Sequence, residues 1–115
     1  MPEPVVHFEI LGKDGKALQS FYKDLFDWKI DADNPMDYGM VDNGGQGING
    51  GVAASQDGSP AVCVYIQVAD PQAALDKAEK LGATTVMPVS EIPGANVTLA
   101  QFKDPAGNVI GLLKG

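Results

Sequence analysis

The stretch VHFEILGKDGKALQSFYKDLFDWKI, Val6 to Ile30, reads as a strand running into a helix. Val5 to Leu11 is rich in β-branched and apolar residues. Leu18, Phe21, Tyr22, Leu25 and Phe26 then recur with the spacing of one helical face, and Asp14 stands at the N-cap position. What makes this stretch decisive is that it recurs. Val62 to Val68 is a second β-rich run, and Asp70-Pro71 opens a second helix with proline in its first turn. Ala74, Ala78 and Leu81 mark that helix's inner face, and Gly82 stops it. His7 precedes Asp14 by seven positions, as Cys63 precedes Asp70.

Three strands are expected after each helix. In the first half they are Trp28 to Ile30, Met36 to Val41 and Ile48 to Ala54, separated by the turn-forming DADNP and DNGGQG. In the second half they are Thr84 to Met87, Val97 to Lys103 and Val109 to Leu113, the last two joined by the Asp104-Pro105-Ala106-Gly107 turn. The expected fold is α+β: two tandem βαβββ modules, about 4–55 and 61–114, in a single domain over 1–115. Each sheet buries one face on its own helix.

Composition narrows the function. The 115 residues carry a net charge of −7, with eight lysines and no arginine. Nucleic-acid readers need a basic surface and use arginine forks, so nucleic acid is excluded as a partner. No apolar run approaches the ~20 residues of a membrane span, the N-terminus lacks the layout of a secretion signal, and one cysteine cannot form an internal disulfide. A cytoplasmic location is expected.

Strand alternation places the polar candidates. His7, Glu9 and Leu11 share one face, with Val6, Phe8 and Ile10 on the other, toward the helix. Cys63, Tyr65 and Gln67 likewise share a face opposite Val62, Val64, Ile66 and Val68. So much polarity on one surface suggests a ligand cavity, since buried polar groups need partners. His7 would accept or donate a proton, with Glu9 orienting it. The plainer alternative is a structural water network around His7 and Glu9. Cys63 reads best as a small buried hydrophobe. The glycines of GGQGINGGVAA, Gly44 to Ala54, make no phosphate loop, lacking a GK[ST] ending. They suit either a widened cavity or a flexible hairpin. Trp28, Tyr38, Tyr65 and Phe102 suit a ligand wall or plain core.

In this order, VHFEILGKDGKALQSFYKDLFDWKI, GGQGINGG, VADPQAALDKAEKLGA and KDPAGNVIGLL resemble the vicinal oxygen chelate superfamily of glyoxalases, bleomycin-resistance proteins and extradiol dioxygenases. The resemblance implies a cup-shaped, partly closed mixed β-sheet barrel with helices outside, and a homodimer. It implies that metal-dependent relatives carry ligands at the positions of His7, Cys63 and Gly111, with the first-module counterpart of Gly111 at about Asn49 or Gly50. Glycine at 111 and a single histidine leave too few donors for a catalytic divalent ion. No metal and no cofactor are therefore expected, and catalytic residues stay open, with His7 and Glu9 as candidates. Ligand contacts are expected at His7, Glu9, Asn49, Cys63, Tyr65 and Gln67. The resemblance then implies a binding protein for a small organic ligand. Two alternatives stand beside it: a lyase or isomerase using His7 and Glu9 with a weakly bound divalent metal, and an interaction module with a filled cup.

Overall fold

A computed structural model describes residues 2–115 and divides the chain into two compact units. The first unit is Val6–Cys63; the second is Val64–Gly115 with the residues before Val6, tied in where the Gln67 amide donates to Pro4 O at 2.9 Å. The elements run β1 (Val5–Gly12), α1 (Gly15–Phe26), β2 (Lys29–Asp31), β3 (Gly39–Asp42), β4 (Gly50–Ala54), β5 (Ala61–Val68), α2 (Pro71–Lys80), β6 (Thr84–Ile92), β7 (Val97–Lys103) and β8 (Val109–Lys114). The result is mixed α and β structure in which strand, helix and three strands occur twice in succession.

In the first unit β1 runs parallel to β4, with Phe8 opposite Gly50 and Glu9 opposite Gly51. β4 pairs antiparallel with β3, and β3 with β2. The Asp14 carboxylate accepts from the Ala17 amide at 3.0 Å and so starts α1. Helix and sheet approach closely at Gly15, where a Cβ would come within 2.6 Å of the Ala54 nitrogen. Tyr22 stacks on Trp28 at 5.6 Å, and Trp28 tilts against Phe8 at 5.5 Å. The rest of the expected apolar face does not go inside: no α1 residue is fully buried, and Phe21, Leu25 and Phe26 are 56%, 58% and 53% exposed. The helix meets its sheet through its N-terminal turns and Tyr22, which leaves those three side chains outward.

In the second unit β5 runs parallel to β8, β8 antiparallel to β7, and β7 antiparallel to β6. Asp70 caps α2 through the Ala73 amide at 3.1 Å, with Pro71 in the first turn. The buried stripe of α2 is Pro71 and Leu75 flanked by Ala74 and Ala78, whereas Leu81 is the C-cap and 72% exposed. Val68, Leu75, Ala100 and Leu112 form the core, with Ile66, Val89 and Phe102 against it. β6 continues past the expected Met87 to Ile92, carrying Pro88 within the second of two register shifts, the one between Met87 and Ser90. A strand paired on one side only tolerates a residue without an N–H.

β3 is shorter than expected. Met36 to Tyr38 lie outside it because Asn34 closes a turn there: its Oδ1 accepts from the Tyr38 amide at 2.9 Å and its Nδ2 donates to Tyr38 O at 2.7 Å. No helix among the described residues is long and apolar enough to cross a membrane.

Candidate functional site

β1 alternates. Phe8 turns toward Trp28 and the helix, and the opposite face presents His7 and Glu9. The residue that joins them is Tyr38. Its hydroxyl lies 2.8 Å from His7 Nε2 and donates to Glu9 Oε2 at 3.0 Å. A carboxylate only accepts, and a phenol carries one hydrogen, so the His7 contact must be an Nε2–H donating to the tyrosine oxygen. The hydrogen bonds therefore run from imidazole to phenol to carboxylate. His7 is half-buried, and desolvation holds its pKa below the ordinary 6.5, which favours the neutral ring.

Two further contacts hold Tyr38 in place. Asn34 grips its backbone on both sides, as described above. Gln19 of α1 donates to Asp37 O at 3.1 Å and to Val52 O at 2.8 Å, pinning the preceding residue, whose φ is +51°. Beneath the ring lies Gly51, where a Cβ would fall 1.8 Å from the Tyr38 hydroxyl. Gly50, one residue earlier, makes the same room for Phe8 on the other face, where a Cβ would come 2.4 Å from its ring. The glycines of this strand thus admit aromatic rings and do not widen a cavity.

The second unit repeats the device. Tyr65 stands in β5 two residues after Cys63, as Glu9 stands two after His7, and pairs with Gly111 as Glu9 pairs with Gly51. A Cβ at Gly111 would lie 2.3 Å from the Tyr65 ring. The Tyr65 hydroxyl accepts from Gln101 Nε2 at 2.9 Å, and Gln101 is the β7 partner of Gly111. Register therefore makes Gly51 the counterpart of Gly111, in place of the expected Asn49 or Gly50. Asn49 precedes β4, and its carboxamide oxygen accepts from the Asn43 amide at 3.1 Å. It lines a groove of about 800 Å³ with Lys23, Asp27, Trp28 and Met40; His7, Glu9 and Tyr38 do not line this groove. Cys63 is buried, 6% exposed, and Gln67 is half-buried beside Gly115, whose Cβ position its side chain fills.

A resident divalent metal does not fit these residues. The one histidine hydrogen-bonds a tyrosine, and the two strand positions from which a carboxylate would reach inward are glycines under tyrosine rings. Among the described residues no three His, Cys, Asp or Glu side chains cluster as a metal site. Sequence reasoning found His7 and Glu9 by alternation but did not single out Tyr38 as their link. The available signal was Asn34, whose side chain can close a turn four residues on.

The profile of the Glyoxalase-like domain family matches residues 8–113. No curated protein matches the chain. Among solved structures, methylmalonyl-CoA epimerase from Mycobacterium tuberculosis is similar with a TM-score of 0.69 and 17% identity, over 96% of this chain and 86% of that one. A glyoxalase/bleomycin resistance protein/dioxygenase superfamily member from Vibrio splendidus 12B01 is similar at 0.68 and 15%, over 99% and 100%. A protein from Legionella pneumophila named as an NAD-dependent benzaldehyde dehydrogenase is similar at 0.70 and 14%, over 98% of each chain. At these identities the structures speak for the fold, and the profile for the family. The chain belongs to the glyoxalase-like family of the vicinal oxygen chelate superfamily.

Proposed function

We propose that this chain is a small-molecule-binding member of its family that works without a resident catalytic metal. The observation that carries the reading is the hydrogen-bonded chain His7–Tyr38–Glu9 laid over Gly51. It keeps a neutral imidazole and a carboxylate in fixed relation, and such polarity has its best use against an organic ligand. The reading includes the two βαβββ modules as one domain forming a partly closed cup with helices outside, a cytoplasmic location and a homodimer. The apolar surface left open at Phe21, Leu25 and Phe26 supports self-association. Ligand contacts are proposed at His7, Glu9, Tyr38, Asn49 and Cys63 within the first unit, and at Tyr65 and Gln67 within the second. A coenzyme A thioester is not the proposed ligand, because the chain has no arginine and a net charge of −7.

A second reading, a lyase or isomerase, is favoured by one feature. Tyr38 couples His7 to Glu9, so a proton taken at the imidazole has a path to a carboxylate without leaving a half-buried imidazolium. Screening organic compounds by thermal shift, in wild type and in His7→Ala and Glu9→Gln, tests both readings. The binding reading predicts stabilising compounds whose effect falls in both variants. Compounds that stabilise all three proteins equally would overturn it. Turnover of any such compound by wild type but not by Glu9→Gln would move the assignment to the second reading.

A further inference from the structure

We propose that Asn43-Gly44 is a self-modifying site, where the Gly44 backbone nitrogen attacks the Asn43 carboxamide and the side chain is lost as ammonia. The dipeptide opens the turn 43–49 between β3 and β4. Glycine has no Cβ to hinder its own nitrogen or to restrict the backbone, so asparagine cyclises most readily when glycine follows it. Of the five asparagines, only Asn43 and Asn49 precede glycine; Pro35, Val97 and Val109 follow the others. The structure separates the two. Gly50 is buried in β4 and paired to both β1 and β3, which fixes the backbone that would have to turn for ring closure at Asn49. Gly44 is exposed at φ +71°, with nothing within 4 Å of its Cβ position.

Hydrogen bonds in the turn supply what the reaction needs. The Gly44 N–H donates to Asp42 Oδ1 at 2.8 Å, so an acceptor already holds the hydrogen that the attacking nitrogen must lose. The Gly47 N–H donates to Asn43 Oδ1 at 3.3 Å, on the oxygen that takes up negative charge as the carbonyl is attacked. The Gly44 N–Cγ bond forms as the Asp42 carboxylate accepts the proton. The Cγ–Nδ2 bond then breaks, and the nitrogen leaves with that proton as ammonia. Water opens the resulting succinimide at either carbonyl, leaving aspartate or isoaspartate at position 43. Both products lose the Nδ2 donor to Ile48 O and set a carboxylate against that carbonyl. The turn that leads into β4, whose Gly51 lies beneath the Tyr38 ring, is loosened as a result.

The test is mass spectrometry of the full-length protein aged in mildly alkaline buffer and, in parallel, in guanidinium chloride. Electron-transfer fragmentation distinguishes isoaspartate from aspartate and reads each asparagine separately. In the fold Asn43 is expected to convert at least tenfold faster than Asn49, and no more slowly than in the denatured chain. Similar rates at the two positions in the fold, or an Asn43 slowed by folding, would overturn the proposal. Asp42→Ala is expected to slow conversion of Asn43 at least threefold in the fold and less than twofold in denaturant. An unchanged or faster conversion in the folded variant would mean that Asp42 holds the nitrogen back, and would contradict the mechanism. Asn43→Asp, which carries one of the two products, is expected to unfold at a lower denaturant concentration than wild type. An unchanged midpoint would contradict the loosening of the turn.

Discussion

The two units use one device with different chemistry. In each, a tyrosine ring lies over a glycine that faces it from the sheet: Tyr38 over Gly51, Tyr65 over Gly111. Tyr65 belongs to a strand, is 5% exposed, and hydrogen-bonds a neutral amide, Gln101. Tyr38 comes from a turn, is half-buried, and bridges two ionisable groups. The glycine contacts differ as well. A Cβ at Gly111 would press on the flank of the Tyr65 ring, at Cδ2 and Cε2, whereas one at Gly51 would meet the far end of Tyr38, at its hydroxyl. One tyrosine is built in and the other is placed. The placed one holds ionisable groups through side chains that can be altered singly.

The largest effect is expected at the built-in ring. Gly111→Ala should cost about 3 kcal/mol in denaturant unfolding, because a buried ring close to its own backbone has nowhere to move. Gly51→Ala should cost less, about 2 kcal/mol, since Tyr38 can swing out and lose its two hydrogen bonds. In exchange it should release the His7 resonances from their bonded positions. A reversed order of the two costs would break the contrast.

Asn34→Ala sharpens the contrast from the other side. It removes both bonds that grip the Tyr38 backbone and should cost about 1–2 kcal/mol. Its His7 tautomer should become mixed. Asn34→Asp, which keeps the acceptor for the Tyr38 amide, should restore part of both. In the second unit Tyr65→Phe keeps the ring and loses the Gln101 bond, for about 1 kcal/mol. Should Tyr65→Phe cost more than Asn34→Ala, the hydroxyl of Tyr65 would carry more than a neutral wall contact.

The smallest effect is a pH dependence. His7 titrates below its ordinary 6.5 in the fold, because burial disfavours the charged ring. As pH falls through 6.5 toward the folded value, the unfolded chain takes up the extra proton first, so stability declines across that window. Above it His7 contributes no slope. His7→Gln should flatten this part of the stability–pH curve, and a slope retained in the variant would place the titration elsewhere.

Much of this arrangement is written locally. Asp14 and Asp70 announce their helices because the cap is a contact over three residues, and alternation along β1 sets His7 and Glu9 apart from Phe8. Tyr38 is not legible in that way. Its bond to His7 spans 31 residues, and a continuous β-rich reading of Met36 to Val41 hides the turn that Asn34 imposes. The glycines mislead for a related reason. Sequence gives the absence of a side chain at 51 and 111 but not which ring fills the space. Helix periodicity likewise marks an apolar face on α1 without saying how much of it the sheet can reach, and Phe21, Leu25 and Phe26 remain outside.

The central claim is that Tyr38, and not a metal, is the partner of His7. The direct test is elemental analysis of the purified protein followed by titration with Ni²⁺, Mn²⁺, Zn²⁺ and Fe²⁺, reading the His7 imidazole resonances and the melting temperature. A ligand at a hundred times its dissociation constant would stabilise the fold by about 2.7 kcal/mol. The account predicts no stoichiometric metal, His7 resonances that hold their positions, and no such stabilisation. A stoichiometric metal, or His7 signals that broaden or move in step with a rise in melting temperature, would contradict it.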